Sequence, residues 1–519
     1  MLVTETRRQR LKELCRERLG GRRLILASNR GPFDYHMTED GRLQVRRNNG
    51  VVVNAFSTLS QHAELAWIAS SLGEGDRRMA ERAQGEHFKA PLVGQDLYLR
   101  FVVSPRNVYH KFYSVFCNPL LWFLQHLMWN FSHTPNIDES VYDAWENGYV
   151  SVNRAFAEAI VDEARGCDPA PIVLLQDFHL YLAASFVRRE MPNLTLAHFT
   201  HIPWPSLTHW QLLPSHMRRA ICEGLCANDA IGFQTNQDVQ NFLHTCQYVL
   251  EEAEVDYGSQ TIKFNGRESR VQANPLSIDV DNIRKLDAST RVQEFEKKLE
   301  PLCGEQTIIR VDRAEPSKNI LRGFRAYDKL LERHSHLRGK VKFLAFLVPT
   351  RTHLRQYQRH MDDVNSAVEA LNAKYGNEKW RPVELFFENN YMQAIAALHL
   401  FDVLLVNAVA DGMGLVAKEG PMVNTRNGVL VLSEGVGACE RLGSHALVIS
   451  PADLEGTVQA LYTALTMSDE ERGRRAAALR GTIEAEDVTH WLCRQVELLP
   501  TVEGEAPLIP LGNPAGPAG

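Results

Sequence analysis

The chain has 519 residues, with 57 Lys and Arg against 63 Asp and Glu, a net charge of −6. At roughly 100–200 residues per domain that means two large domains or three ordinary ones, with core enough to fold without metal or disulfide staples. Hydrophobic residues at 44% and charged residues at 23% are the proportions of a soluble globular protein, and the acidic balance supplies no overall field for nucleic acid or anionic lipid. The nine cysteines are odd in number and without paired spacing. Cys222 and Cys226, one helical turn apart, are the nearest pair. Buried free thiols in a reducing, cytoplasmic compartment are expected.

The first 23 residues are too charged for a signal peptide. Short apolar runs then read as strands: RLILAS (23–28), IVLLQ (172–176), LTLAHF (194–199), TIIRV (307–311), VKFLAFLV (341–348), VELFF (383–387), DVLLVN (402–407) and VLVLS (429–433). Several are uninterrupted Val/Ile/Leu runs, as in parallel strands covered on both faces. Helical patterns at 320–334 and 354–376 sit between them. The expected class is α/β, with two doubly wound, Rossmann-like domains facing across a cleft. Residues 112–137 contain no Asp, Glu, Lys or Arg, but Asn118, Pro119, Gln125, His126, Asn130 and Ser132 interrupt them. They read as aromatic cleft walls, since a membrane span needs about 20 mostly apolar residues. The domains are expected over 1–275 and 276–498, with a disordered Pro/Gly-rich tail over 499–519.

Ligands of such sheets bind beyond the carboxyl ends of the strands, so motifs placed there carry the argument. RVDRAEPSKN puts Arg313 and Lys318 on a strand-to-helix loop, a forked cation and a point charge suited to a diphosphate; the alternative is a solvated surface pair. DGMGLVAKE offers Asp411 to sugar hydroxyls, Gly412 and Gly414 for close backbone approach, and Glu419, two turns into the next helix, for a ribose diol. QDFHL and HFTHIPWP end first-domain strands and aim Asp177 and His201 at the cleft from the other side. His198 and His201 fit no zinc framework, and no metal site is expected. SNRGPF and NNGVV place Arg30 near a phosphate and the Gly50 amide at a helix N-terminus. DVD (279–281) reads as an acidic run in the linker.

Together these motifs resemble the trehalose-6-phosphate synthase family of retaining GT-B glycosyltransferases, over roughly Arg23–Leu498 and in the family's order. SNR, NGV, QDFHL, HIPWP, VDRAEPSKN and DGMGLVAKE answer its first-strand motif, GGL loop, HDYHL, HIPFP, V-x-R-L-D-Y-S-K-G and DGMNLVAKE. The alignment selects Arg313 rather than Arg310. The resemblance implies an acceptor-binding first domain and a nucleotide-sugar-binding second domain. Arg313 and Lys318 would hold the donor diphosphate beside the Gly50 amide. Asp411, with the backbone of Gly412, Met413, Gly414, Leu415 and Val416, would hold the donor sugar, and Glu419 the ribose. His201 would contact the donor sugar and Asp177 the acceptor, while Arg30, Tyr113 and Arg351 bind the acceptor phosphate with Trp122 packed nearby. The implied substrates are a nucleoside-diphosphate glucose and glucose 6-phosphate, with no metal or other cofactor and no nucleic-acid or membrane partner; homo-oligomerisation is left open.

Several positions depart from the family pattern. Gly414 replaces its Asn, Asn319 its Gly, and Gln176 and Phe178 alter HDYHL. AWIASSLGEG (66–75) stands where the family has WFGWSG, so Ser70 replaces an acceptor-site Trp. This segment, with HLMWN and HIPWPSLTHW, is similar to validoxylamine phosphate synthase, which joins two cyclitol units through nitrogen on the same fold. The alternatives are therefore another phosphorylated acceptor, as in that enzyme or glucosylglycerol-phosphate synthase, or a catalytically silent sugar-phosphate sensor.

Overall fold

The structure, a computed structural model, describes residues 2–48, 50–91, 96–130 and 132–500. The tail expected to be disordered lies, from residue 501 on, outside the described residues. Two large sheets organise the chain. In the first, seven parallel strands run Arg267–Ala273, Ala230–Phe233, Thr195–Phe199, Ile172–Gln176, Leu24–Ser28, Leu65–Ser70 and Leu97–Val102, with antiparallel strands added at both edges. In the second, six parallel strands run Val383–Phe387, Val341–Val348, Gln306–Arg313, Val403–Val406, Val429–Ser433 and Leu447–Ile449.

In each sheet the strand order reverses beside the first strand to enter it. Leu24–Ser28 lies between Ile172–Gln176 and Leu65–Ser70, and Gln306–Arg313 lies between Val341–Val348 and Val403–Val406. Chains leaving neighbouring strands at a reversal diverge to opposite faces and open a crevice. The residues that follow those strand ends are Asn29–Arg30 and Asp177 in one domain, and Glu315–Lys318 and Asn407–Asp411 in the other.

The helices follow from apolar spacing and caps. In Ile320–Arg333, Ile320, Phe324, Tyr327, Leu330 and Leu331 are buried at intervals of three and four, a single stripe against the sheet. Thr235 and Asp238 form a reciprocal capping box on Asn236–Val249. The DVD run is a cap as well: Asp279 accepts from the Asn282 amide at 2.9 Å and opens Val280–Asp287.

The division at residues 275 and 276 needs one correction. The final helix, Val488–Glu497, packs on the first sheet, because Val488, Trp491, Leu492 and Val496 share a core with Leu24, Phe56 and Trp67. Trp491 meets Phe56 and Phe199 edge-on at 5.8 and 5.5 Å. Burying such a ring is worth on the order of 4–6 kcal/mol. The amphipathic stripe is legible in sequence, but which sheet it covers is not. Segment 112–137 also differs from expectation: Phe112, Phe116, Leu121 and Leu124 are core residues, and Tyr113 and Trp122 reach the cleft.

All nine cysteines are free, six of them buried. No helix among the described residues is long and apolar enough to cross a membrane.

Candidate active site at the domain cleft

The two domains touch where the motifs meet. A Cβ on Gly412 would lie 1.9 Å from the His201 carbonyl oxygen, so the DGMG turn is pressed against the first domain's HIPWP loop. Glu440 accepts from the Asn236 amide at 3.2 Å across the same seam, a carboxylate at a helix N-terminus.

On the second-domain side, strand Gln306–Arg313 runs two residues further than the apolar pattern predicts, so Arg313 ends the strand rather than lying in the loop. Arg310 is fully buried, bonded to Asp312, the carbonyls of Lys318 and Ile320, and Asn407. It braces the turn, which leaves Arg313 to face the cleft with its side chain 44% exposed. Asn319 adopts φ +58° and donates to the carbonyls of Asn407 and Pro451 at 2.9 and 2.7 Å. It supplies the left-handed backbone for which the family uses Gly, and adds two bonds that Gly lacks.

Lys318 pairs with Asp411, so the residues expected to serve diphosphate and sugar hydroxyls hold each other in this structure. Burial works against the Asp411 charge, but Lys318 outweighs it and keeps the carboxyl below its ordinary value. Gly414 takes φ +68°. A Cβ there would meet the Val436 Cγ1 methyl at 2.5 Å, so the space of a side chain at 414 is partly filled from the facing loop. Met413 and Val416 point into the core, and Leu415 packs between the two domains' cores. Glu419 lies in the first turn of Val416–Val423, not the second, since the helix starts five residues after Asp411. It accepts from the Tyr391 hydroxyl at 2.9 Å, and burial raises its carboxyl against that bond.

On the first-domain side, Asp177 has φ +71°, an uncommon backbone for a non-glycine residue and one that clusters at functional sites. Burial pushes its carboxyl up to about 6, against amides of Phe178 and His201 and the charges of Arg313 and Arg351. Tyr113 stacks between Tyr109 and His179 at 5.7 and 6.0 Å. Burial, with Arg351 and Arg30 nearby, drops His179 to about 3 and keeps it neutral. Arg30 is exposed and forms no ion pair among the described residues. Gly50 caps Val51–Leu59 from an exposed position, with nothing close to its α-carbon face.

His201 is not free to point at a ligand. Its Nε2 meets Gln176 Oε1 at 2.9 Å, and Gln234 Nε2 lies 3.5 Å from its Nδ1. The Gln234 oxygen is taken by the Leu276 amide at 2.8 Å, which fixes that amide's orientation and so the imidazole's tautomer. Burial holds the ring near a pKa of about 3. Ser70 is buried and donates to Asn29 Oδ1 at 3.0 Å, which also accepts from Tyr109. It does not line the cleft as the family's Trp would.

Trp122 joins the two sides. Arg351 lies 4.2 Å and Arg313 5.2 Å from its ring, and both pair with the buried Glu315. Glu315, Tyr391 and His126 were not singled out from the sequence. His126 stacks on Trp122 at 3.9 Å and is held by burial at about 4, in the field of Asp411, Glu315 and Lys318. Glu315 lies within the quoted motif; the other two carry no local signal. Among the described residues no group of three or more His, Cys, Asp or Glu is arranged to hold a metal.

Two Rossmann-like domains that meet at the strand-order reversals of both sheets define a GT-B glycosyltransferase architecture. The chain belongs to glycosyltransferase family 20, whose profile matches residues 22–500. It is 31% identical over 486 residues to a bifunctional trehalose-6-phosphate synthase/phosphatase of Thermoproteus tenax, covering 90% of this chain and 62% of the relative. It is 29% identical to an alpha,alpha-trehalose-phosphate synthase [UDP-forming] of Pichia angusta, covering 90% and 97%. It thus spans about three-fifths of the Thermoproteus protein and of a Dictyostelium discoideum relative, 62% and 61%, but nearly all of the Pichia one. Among solved structures, one described as trehalose-6-phosphate from E. coli bound with UDP-2-fluoro glucose matches with TM-score 0.78 and 25% identity, over 92% of this chain and 98% of that one. An alpha,alpha-trehalose-phosphate synthase from Burkholderia xenovorans in complex with glucose-6-phosphate matches with TM-score 0.76 and 26% identity, over 92% and 100%.

Proposed function

We propose that the protein transfers glucose from a nucleoside-diphosphate glucose to glucose 6-phosphate, forming trehalose 6-phosphate with retention at the anomeric carbon. The observation that carries this reading is the meeting, around Trp122, of Arg313 from the diphosphate motif with Arg351 from the acceptor-phosphate motif. The relatives' UDP-forming names and the Burkholderia complex with glucose-6-phosphate favour the same substrates.

In this mechanism the anomeric C–O bond to the diphosphate breaks to an oxocarbenium-like ion, and the charge develops on the leaving phosphate. Arg313 and Lys318 neutralise it. Because two fixed cations serve the leaving group, the reaction needs no metal, and turnover should survive chelation. The acceptor hydroxyl attacks from the face the phosphate leaves, and its proton passes to a phosphate oxygen. Asp177 accepts a hydrogen bond from the acceptor, Asp411 from the donor sugar, and Glu419 from the ribose. His201, neutral and held by Gln176, shapes the sugar pocket through its backbone. The free thiols suit a cytoplasmic setting.

Ser70 favours a second reading, transfer to another phosphorylated acceptor, because its hydroxyl is spent on Asn29. The test crosses UDP-, GDP- and ADP-glucose with glucose 6-phosphate, glycerol 3-phosphate and no acceptor, and follows nucleotide release with and without EDTA. Release that requires glucose 6-phosphate is expected; release only with another acceptor selects the second reading. Nucleotide binding without release under any pair would point to a cyclitol substrate or a silent sensor.

A further inference from the structure

Arg313 and Arg351 leave neighbouring strands: Arg313 is in register with Val348, three residues before Arg351. Between them stands Glu315, fully buried, whose Oε1 lies 3.1 Å from Arg313 Nη1 in an ion pair and accepts a hydrogen bond from Arg351 at 2.9 Å. Its Oε2 has no hydrogen-bond partner among the described residues. Arg351 also donates to the Tyr357 hydroxyl at 2.7 Å and holds φ +46°, a conformation that persists only where the surroundings enforce it. Both guanidiniums lie on Trp122, which belongs to the other domain.

A carboxylate beside two anion-binding cations lowers their affinity for anions, and burying it with one oxygen unpaired is costly. Its contribution must therefore be something other than affinity, and a shared oxygen contributes a fixed spacing. We propose that Glu315 is a positioning residue for both arginines, setting their separation against Trp122 so that the diphosphate site and the acceptor-phosphate site act as one unit. Which anion each arginine takes rests on the reading proposed above. Glu315 is fully buried beside the two arginines and acts through the side chains it orients, as a positioning rather than a catalytic residue. The charge balance also links them: when Arg351 is drawn away or removed, Oε1 is left to Arg313 alone, and Arg313 becomes less available to a diphosphate.

The test combines calorimetric titration of UDP, GDP and ADP, using whichever binds most tightly, with turnover and thermal denaturation. In Glu315→Gln, which keeps the shape and removes the charge, nucleotide affinity should be unchanged or about threefold tighter while kcat falls by about 100-fold. Glu315→Asp, the family's residue at this position, should retain at least about a tenth of wild-type kcat. Arg351→Met should weaken nucleotide binding by about three- to tenfold in the wild-type background and by less than about twofold in Glu315→Gln. A purely structural role would instead lower affinity, kcat and melting temperature together. That pattern, a kcat within about threefold of wild type in Glu315→Gln, or equal effects of Arg351→Met in both backgrounds would overturn the proposal. Should Glu315→Gln fail to fold, Arg351→Met alone decides, because unchanged nucleotide affinity contradicts the linkage. If the wild type binds nucleotide but transfers nothing to glucose 6-phosphate, the proposed reaction is wrong while the calorimetric cycle still tests the linkage.

Discussion

The two halves of the cleft differ in their electrostatics. In the second domain Asp411 and Glu315 are held charged by paired cations, Lys318 for the first and Arg313 and Arg351 for the second, whereas burial raises Asp312 and Glu419. In the first, burial drives the groups toward neutrality. Asp177 is lifted to about 6, His179 and His201 are held near 3, and Arg30 has no partner among the described residues. A leaving diphosphate develops charge during reaction and is best met by cations already fixed in place. A neutral sugar hydroxyl needs acceptors in a dry pocket, and the open cation Arg30 is left for the phosphate. The two strand-order reversals thus differ in how directly their buried carboxyls are paired with cations.

The sharpest way to break this contrast is at Lys318 and Arg313. Arg313→Ala should lower kcat by about 100- to 1000-fold, or about 3–4 kcal/mol, with little change in melting temperature because the side chain is 44% exposed. Lys318→Ala should lose a similar factor in rate and also destabilise the fold by about 3 kcal/mol, since it strands the largely buried Asp411. Equal stability of the two variants would show that the Lys318–Asp411 pair is not buried in solution. Gly412→Ala comes next. Its methyl would strike the His201 carbonyl, so the halves would no longer close, and kcat should fall by about 10- to 100-fold with the isolated nucleotide affinity retained. Small-angle scattering should show the more open form.

The acceptor half is tested by pH. The Asp177 carboxyl is raised, so its charged form is disfavoured by folding and it titrates near 6. As pH falls through that value the charged acceptor is replaced by a neutral carboxyl, and kcat/KM for the acceptor should drop about tenfold per unit. The same protonation adds stability as pH falls from about 6 toward the unfolded value near 3.9, because the native state then binds the extra proton. Asp177→Asn should remove the limb and lower the plateau; a limb that survives belongs to another group. The smallest effect is at Gly414. Gly414→Asn should cost about 1–3 kcal/mol in chemical denaturation by overpacking against Val436, and Gly414→Asn with Val436→Ala should recover most of it. No recovery would mean that the backbone at φ +68°, not the methyl, resists the side chain.

Much of this was legible along the chain because parallel strands are buried on both faces and therefore print as apolar runs. IVLLQ, VKFLAFLV and VLVLS appear as strands where expected. Leu65–Ser70 escaped although it is buried throughout; most other strands that escaped lack that signature. Leu97–Val102 alternates, Ala230–Phe233 is only four residues, and Glu254–Asp256, Thr261–Phe264 and Arg267–Ala273 carry edge-strand polarity. Arg310 and Arg313 differ by three residues yet have opposite fates, one sealed under the helix and one open to the cleft.

The sequence by itself determined the class of fold and the motifs that follow its strands; the two strand-order reversals came from the sheet topology. Left-handed positions are also readable in kind: Asn319 and Gly414 exchange the two residue types that φ near +60° admits. Only the tertiary structure decided which domain the last helix covers, that Gly412 abuts His201, that Gln176 and Gln234 occupy its imidazole, and that Glu315 stands between two arginines. The reason is range. Strand and turn signals arise between residues a few positions apart, where chain geometry dictates who meets. Burial, tautomer and charge sharing are set by neighbours brought together from distant stretches of the chain, and no local pattern encodes that meeting.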